Sequence, residues 1–283
     1  MPLLPYLKNI YRMLAGLLDL PAKITKLWGR LNSARGISEA LWRTTLESFP
    51  FLAALPADEQ LQLRGLTGQF LARKEFTGAQ GLVITDDMAV AIAAQACLPV
   101  LHLGLAFYDD FKGIVVHPGA MVARREVTDD TGVVHSYSEV LAGEAMERGP
   151  VTVNWQDAAA AGASAAQGYN VVIHEFIHKL DMRDGAPNGC PPLASREARA
   201  AWQAVMQQAY TSFRQAVIMA ERFGAVAPWL DAYGATSPAE FFAVACEAYF
   251  VNRQRFERDF AALAPLFDSF FKKKQAAAQR ICA

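Results

Sequence analysis

The clearest pattern of apolar and polar positions lies in the run from Asn170 to Asp181. Its apolar residues recur at i, i+3, i+4 and i+7: Ile173, Phe176, Ile177 and Leu180. This spacing predicts an amphipathic helix with one face in a hydrophobic core. A second stripe beside the first contains His174, His178 and Asp181. Because buried polar side chains need partners, this stripe is the first candidate for chemistry.

The rest of the chain alternates between helical and strand-like patterns. Helical spacing, broken by prolines, predicts helices within residues 38–74, 86–98, 195–223 and 238–253. Short β-rich runs predict strands at 100–105, 114–117, 133–137 and 151–155. The small residues of 158–168 predict a loop or a frayed helix. Together these elements predict an α+β fold, with a small mixed sheet over the motif helix and flanking helices.

The two ends of the chain differ in composition from the remainder. Residues 1–36 carry leucines at helical spacing beside a basic polar side, which is typical of a helix packed on its own domain or of one lying on a membrane surface. Charges interrupt its apolar runs well before the ~20 residues that span a bilayer. Residues 272–283 are basic, then alanine-rich, and are expected to fray. We therefore expect an N-terminal extension (1–36), one main domain (37–271) and a short tail.

Composition narrows the class of protein. Of the 283 residues, 53% are hydrophobic and 19% are charged, which excludes global disorder. The net charge of −1 and the absence of a basic motif with interleaved aromatics argue against direct nucleic-acid binding. The four cysteines lack C-x-x-C spacing: Cys97, Cys190, Cys246 and Cys282. This pattern argues against a cysteine zinc site and a disulfide framework, and it favours the reducing cytoplasm.

The polar stripe contains the motif H-E-x-x-H, formed by His174, Glu175 and His178. On a helix the two imidazoles stand one turn apart and can hold one zinc ion, while the glutamate can take a proton from water. The alternative is a chance pentapeptide with two core or surface histidines. Of the remaining histidines, each is more typical of a structural residue than of a ligand: His102, His117 and His135.

A catalytic zinc requires a third protein ligand, and spacing leaves its identity open. The metzincin continuation would need glycine at 181 and histidine at 184, where this chain has Asp181 and Asp184. Asp184 could still be a carboxylate ligand, and Asp181 could accept the free N–H of a ligating histidine. Glu240 and Glu247 share one face of a later helix, but Ser237 followed by Glu240 also resembles a helix capping box.

Several sequence blocks together resemble the Mlc titration factor A family of bacterial zinc peptidases. The first block is H-E-F-I-H-K-L-D at 174–181, and the second is Y-G-A-T-S-P-A-E-F-F at 233–242. Similar blocks occur in the metalloprotease domain of anthrax lethal factor. Weaker likeness at 98–105, 132–135 and 149–155 extends the resemblance over most of residues 40–270. Residues 1–36 fall outside it.

The resemblance implies a zincin-like metallopeptidase fold for residues 37–271 and one Zn²⁺ per chain. Carried onto matching positions, it implies that His174, His178 and Glu240 bind the metal and that Glu175 is the general base. Tyr233 matches a tyrosine that donates to the developing oxyanion, although a loop aromatic packed on the core is the alternative. Glu247 is expected either to support a ligand or to form a surface ion pair.

Two functions of different classes follow from this resemblance. The first is zinc-dependent hydrolysis of a peptide substrate, for which aminopeptidase-like action is one option, with the 151–155 strand as a possible backbone partner for the substrate. The second is non-catalytic regulation, because family members bind and sequester the Mlc transcriptional repressor in the cytoplasm. The two functions are compatible.

Overall fold

The computed structural model describes residues 36–128, 134–141, 143–145 and 149–272. By internal contacts the chain divides into two units, Met1–Ser38 and Glu39–Ala283. The expectations for the N-terminal extension and for the tail fall almost entirely outside the described residues. Among the described residues, no helix is both long enough and apolar enough to cross a membrane.

The main unit is α+β, as the sequence predicts, and most of its described residues are helical. The helices are α1 (Glu39–Ser48), α2 (Pro50–Ala53), α3 (Ala57–Arg73), α4 (Asp86–Cys97), α5 (Trp155–Ser164), α6 (Val171–Asp181), α7 (Arg196–Phe223), α8 (Pro238–Val251), α9 (Arg253–Asp259) and α10 (Leu263–Phe271). The strands are β1 (Glu75–Gly78), β2 (Gly113–His117), β3 (Met121–Thr128), β4 (Val134–Leu141), β5 (Gly143–Ala145) and β6 (Val151–Asn154).

The larger sheet is mixed and has the order β1-β2-β6-β5. Strands β1, β2 and β6 are parallel, whereas β5 runs antiparallel to β6 with Gly143 opposite Val153. Strands β3 and β4 form a separate antiparallel pair. Because β6 has a neighbour on each side, it is a central strand, and the expectation that it offers a free edge to a substrate is wrong. The edge beside the motif helix belongs to β5.

Helix α6 lies at the centre of the unit because its apolar face is fully enclosed. Its side chain Phe176 packs between aromatic rings from three other segments: Phe70, Tyr108 and Phe111. Helix α4 supports α6 from another side and is buried from Met88 to Cys97, since nearly all residues of that stretch are small or apolar. Thr85 caps α4 by accepting a hydrogen bond from the N–H of Met88.

A second aromatic cluster holds α7 and α10 against α8. The indole of Trp202 stacks on Phe267 at 5.5 Å between ring centroids and meets Phe242 edge-on at 5.6 Å. Arg253 binds the carboxylate of Asp268 with two nitrogens, at 2.9 and 2.7 Å. These contacts fix the helix that carries Glu240 from the side opposite α6.

One local prediction is wrong, and one pair of alternatives is resolved. Residues 100–105 form no strand, because Val100, Leu101 and Leu103 donate to carbonyls three residues earlier in successive turns, and Gly104 then adopts φ +83°. Residues 158–168 are largely helical, so the helical alternative predicted for them is the one present. Asn154 caps α5 through the N–H of Asp157, and Gly162 lets α5 approach the carbonyl of Ser48 at the end of α1 closely. The predicted 238–253 helix ends at Val251, where Asn252 caps the next one.

Three of the four cysteines lie in the described part of the chain, and all three are free thiols in buried positions: Cys97, Cys190 and Cys246. Cys282 lies outside the described residues. Burial raises the pKa of the Cys190 thiol to about 11. These described cysteines are packing residues, as expected from their scattered spacing.

Candidate metal centre

Both histidines of the motif lie on helix α6, whose start is fixed by a cap. The side chain of Asn170 caps the helix by accepting a hydrogen bond from the N–H of Ile173 at 2.9 Å. The helix then carries His174 and His178 on one face, with their ring centroids 4.8 Å apart and their Nε2 atoms 3.1 Å apart. The two Nε2 atoms therefore point at the same small volume.

Glu240 completes this group from helix α8. Its Oε2 atom lies 3.0 Å from Nε2 of His174 and 3.1 Å from Nε2 of His178. Ser237 caps the helix by accepting from the N–H of Glu240 at 3.1 Å, and Pro238 stands at the first helical position. The cap uses the backbone of Glu240, which leaves its carboxylate for the histidines. The capping alternative and the ligand alternative are thus compatible.

Glu247 lies one step behind the same site. It is 1% exposed, and its Oε1 is 2.7 Å from Nδ1 of His174. Its Oε2 accepts a hydrogen bond from the backbone N–H of Asn170 at 2.5 Å. The amide of Asn170 also donates to Gln95 at 2.8 Å. A carboxylate at Nδ1 favours a proton on that atom, so neutral His174 would present the Nε2 lone pair to a bound metal.

Asn170 and Gln95 were not identified from the sequence as part of the site. The signal for Asn170 was present, since an asparagine directly before an apolar helical run is a typical cap. Nothing marked Gln95, a buried polar residue in an alanine-rich helix. Its role depends on α4 and α6 packing together, which is a tertiary property.

The expectation that Asp181 accepts the free N–H of a ligating histidine is wrong. Its carboxylate accepts hydrogen bonds from the backbone N–H groups of Asn188, Gly189 and Cys190, at 2.8, 2.8 and 3.0 Å. The loop amides offset the cost of an acid at the C-terminal end of a helix. Burial, only partly opposed by these bonds, raises the pKa of Asp181 to about 6.

Asp184 also lies apart from the site. It pairs with Arg199 at 3.0 Å on the face of α7, so it is not brought to the histidines as an alternative ligand. His102 pairs with Glu59 at 3.2 Å, and His117 lies at the end of β2, where burial lowers its pKa. His135 belongs to β4. The described histidines outside the motif do not join the metal-binding group.

Glu175 points to the other side of the site, toward the sheet. It is 5% exposed and lies directly against β5. A Cβ built on Gly143 would stand 2.5 Å from its Oε1 and 2.6 Å from its Cγ. Only glycine at 143 leaves room for this side chain. Gly143 was not singled out from the sequence, because the approach of β5 to α6 is non-local.

Tyr233 lies at the rim of the site and is 42% exposed. Its ring centroid is 6.1 Å from that of His174. Asp231 accepts a hydrogen bond from the N–H of Tyr233 at 2.9 Å, and Thr236 donates to the carbonyl of Tyr233 at 2.7 Å. A short helical turn thereby holds the tyrosine beside the histidines.

The charges around the site perturb its titration. Burial alone would lower the pKa of His174, but the carboxylates of Glu240 and Glu247 raise it well above the ordinary value of 6.5. Burial lowers the pKa of His178. For Glu240 burial acts upward, but hydrogen bonds from both histidines hold its pKa well below its usual range. Opposed shifts of this kind cluster at functional sites.

The donor set fits a divalent metal ion. The three candidate ligand atoms belong to His174, His178 and Glu240, and they lie within 4.8 Å of one another. Their mutual distances of 3.0 to 3.1 Å are close to the roughly 3.4 Å that separates ligands in a tetrahedral site with zinc bonds of about 2.0–2.1 Å. Two imidazoles and one carboxylate leave a fourth position open, as in catalytic zinc sites.

Comparison with known sequences identifies the family of this chain. Residues 25–272 match the family described as glucose-regulated metallo-peptidase M90, so the likeness begins within residues 1–36, which were expected to lie outside it. Proteins called Mlc titration factor A from Yersinia pestis (strain Pestoides F) and Yersinia pseudotuberculosis serotype O:1b are each 36% identical over 248 residues. That alignment covers 87% of this chain and 89% of each relative. The chain therefore belongs to the glucose-regulated metallo-peptidase M90 family.

Proposed function

We propose that this protein is a zinc-dependent peptidase that hydrolyses peptide bonds. The observation that carries the proposal is the convergence of three ligand atoms, from two helices, to within 3.1 Å of one another. Zinc suits two imidazoles and one carboxylate better than magnesium or calcium, which prefer oxygen ligands. One ion per chain and a zincin-like catalytic domain over residues 37–271 complete the proposal.

Each residue has a distinct part in the proposed reaction. When bound, zinc would polarise the scissile carbonyl and make a water molecule more acidic. His174, His178 and Glu240 would hold the ion, and Glu247 would keep His174 in the tautomer that leaves Nε2 free. Glu175 would take the proton of the attacking water and later give it to the leaving amine. Tyr233 would donate to the oxyanion that develops on the carbonyl oxygen.

The peptide substrate would pair with the sheet at β5. Since β6 is enclosed between β2 and β5, the outer edge beside Glu175, among the residues that the structure describes, belongs to Gly143–Ala145. An extended peptide can add to such an edge through main-chain hydrogen bonds. This arrangement would bring the scissile bond to the carboxylate that takes the proton. We place the reaction in the cytoplasm, in keeping with free cysteines and no C-x-x-C pair.

Metal content and peptide hydrolysis of three variants test the mechanism. Wild type should bind one zinc per chain, and Glu240→Ala should lose both metal and turnover. Glu175→Gln should keep the zinc but lose turnover by roughly 10²–10⁴-fold, because only the proton acceptor is removed. Tyr233→Phe should lower kcat by about 10²-fold with little change in KM. Hydrolysis by Glu175→Gln at the wild-type rate would refute its role as the base.

A second candidate function is regulation by binding a transcriptional repressor of the Mlc type. It is favoured by the name of the relatives, Mlc titration factor A, at 36% identity over most of the chain. In this function the protein would sequester the repressor and so act on transcription without contacting nucleic acid itself. Sequestration and hydrolysis can belong to the same protein.

Chelation separates the two functions. Repressor binding and peptide hydrolysis would each be measured before and after zinc removal. Peptidase activity should vanish with the metal and return when zinc is restored. Repressor binding through a remote surface should persist in the zinc-free protein. A protein that sequesters the repressor but never hydrolyses a peptide would leave only the regulatory function.

A further inference from the structure

The loop that follows the motif helix is tied to that helix by a single buried carboxylate. Asp181 is 0% exposed and accepts from three successive backbone N–H groups, those of residues 188–190. Asn188 adds a second acceptor for the N–H of Cys190, at 2.9 Å. A loop with three consecutive amides bound to one side chain has little freedom to shift along the helix axis.

The same loop lies directly against the start of the helix that carries Glu240. Gly189 has φ +78°, and a Cβ on it would stand 2.5 Å from the carbonyl oxygen of Pro238. Pro238 is the first residue of α8, and Glu240 is two residues further on. The loop backbone at Gly189 is therefore adjacent both to the carboxylate of Asp181 and to the first turn of α8.

The outer side of the loop is held by the long helix α7. The indole N–H of Trp202 donates to the carbonyl of Gly189 at 2.9 Å, and Trp202 is 1% exposed. Its ring meets Phe242 of α8 edge-on. Gly189 thus lies between Trp202 and Pro238. A shift of Gly189 would therefore displace the first turn of α8.

We propose that Asp181 is a positioning residue that sets where Glu240 stands relative to His174 and His178, acting through residues 188–190 and Pro238. The inference rests on the proposed zinc site. Packing of α6 on α8 sets the distance between the two helix axes. The loop bound by Asp181 sets the position of the first turn of α8 along the axis of α6. A carboxylate is required because asparagine would turn an N–H₂ group toward at least one of the three amides.

The test is zinc affinity, measured by competition with a chromogenic chelator, for wild type and Asp181→Asn. We expect the variant to bind zinc roughly 10–100-fold more weakly, which is typical for loss of a group that supports a ligand. Asp184→Asn is the matched control, since Asp184 lies on the same loop and pairs only with Arg199 in the described structure. Wild-type affinity in Asp181→Asn, or an equal loss in the control, would overturn the proposal.

A double-mutant cycle distinguishes positioning from general weakening of the fold. If Asp181 acts through Glu240, Asp181→Asn should cause a smaller loss of zinc affinity in a Glu240→Asp background, whose shortened carboxylate already binds the ion weakly, than in the wild type. An undiminished loss in that background would contradict the proposal. Gly189→Ala, which moves the loop against Pro238, should reproduce the effect and the same dependence on Glu240. It also keeps the test possible if Asp181→Asn fails to fold.

Crystal structures of the zinc-free proteins separate this inference from the proposed function. In Asp181→Asn, Oε2 of Glu240 should move away from Nε2 of His178 by about 1 Å or more. An unchanged distance would overturn the positioning role whether or not zinc binds. Failure of the wild type to bind zinc, together with this displacement, would instead refute the proposed zinc site alone.

Discussion

Glu247 illustrates how one buried side chain can serve both the fold and the site. It binds the backbone N–H of Asn170, where helix α6 begins, and the Nδ1 atom of His174, one turn later. Burial raises the pKa of Glu247, while its contact with His174 acts in the opposite direction. The contact with His174 therefore favours the charged form of Glu247, and Glu247 in turn fixes the orientation of the His174 ring.

Glu247→Gln should weaken zinc binding without removing it. The amide can replace only one of the two acceptor oxygens, so either His174 or Asn170 loses its partner. We expect roughly 10–100-fold lower zinc affinity by chelator competition. Glu221→Gln, on the exposed end of α7, is the control and should leave affinity unchanged. Complete loss of zinc in Glu247→Gln, with retention in Glu240→Ala, would mean that the ligand carboxylate is Glu247.

Lys74 is a charged residue buried away from the site. Its ammonium group donates to the carbonyls of Tyr108 and Phe111 and lies 3.8 Å from the ring centroid of Phe111. Burial, partly opposed by the nearby carboxylates of Asp109 and Asp110, lowers its pKa from 10.5 to about 8. Below about pH 8 the folded protein therefore bears the whole free-energy cost of burying the charged ammonium group.

Stability should consequently rise with pH above about 8, because the folded lysine becomes neutral while the unfolded one keeps its proton up to about 10.5. Urea unfolding at about pH 7.5 and about pH 9.5 should show a gain of about 1 to 2 kcal/mol relative to Lys74→Met, after allowance for residual solvation. Because the wild type and Lys74→Met share all other titrating groups, the contributions of those groups to the change in stability cancel in this comparison. Parallel pH profiles for the two proteins would show that Lys74 is not the cause.

At the scale of elements, the site is the meeting of two helices and one short strand. Helix α6 provides the two histidines, and helix α8 provides two carboxylates seven residues apart on one face. Strand β5 closes the other side, where Gly143 lies against Glu175. Each element is built by local rules, but none contains a complete site.

Gly143→Ala should affect turnover and not metal binding. The added methyl group would lie 2.5 Å from Oε1 of Glu175, so the carboxylate must move away from its place beside the strand. We expect kcat to fall by about 10-fold or more while one zinc per chain is retained. Gly119→Ala is the control, because its Cβ would make only an ordinary contact at 3.6 Å with Gln156. Unchanged kcat in Gly143→Ala would show that the contact between β5 and Glu175 does not affect the reaction.

At the scale of the whole molecule, a metal bound between α6 and α8 would join segments more than sixty residues apart in the chain. Buried hydrogen bonds already join these helices without the metal, because Glu247 of α8 binds the backbone N–H of Asn170 and the Nδ1 atom of His174. The zinc-free protein should therefore remain folded. Zinc should add stability by mass action, because the unfolded chain has no formed site.

Removing zinc should lower the melting temperature. At a free zinc concentration about 100-fold above Kd, binding adds about 2.7 kcal/mol. For a chain of this size that corresponds to roughly 5–10 °C. Thermal unfolding with zinc and with a chelator would measure the difference, and Glu240→Ala should show none. A zinc-dependent shift of wild-type size in Glu240→Ala would place the metal elsewhere.

The sequence by itself determined the elements whose cause is local. The apolar stripe of α6, the cap at Ser237 and the H-E-x-x-H spacing depend only on the geometry of one helix, and the structure agrees with them. The family was also predictable, because its residue blocks are contiguous and specific. Local propensity failed at residues 100–105, where turns around Pro99 and Gly104 override the β-rich composition.

Only the tertiary structure decided which side chains meet. Spacing left Asp184, Glu240 and Glu247 as alternatives, since a ligand on a separate helix is selected by packing and not by periodicity. The fold brings Glu240 to both histidines and Glu247 behind His174, and it turns Asp181 to a loop instead. Helical spacing therefore indicated the half of the site on one helix, whereas the half on the other helix was indicated only by the resemblance to a known family.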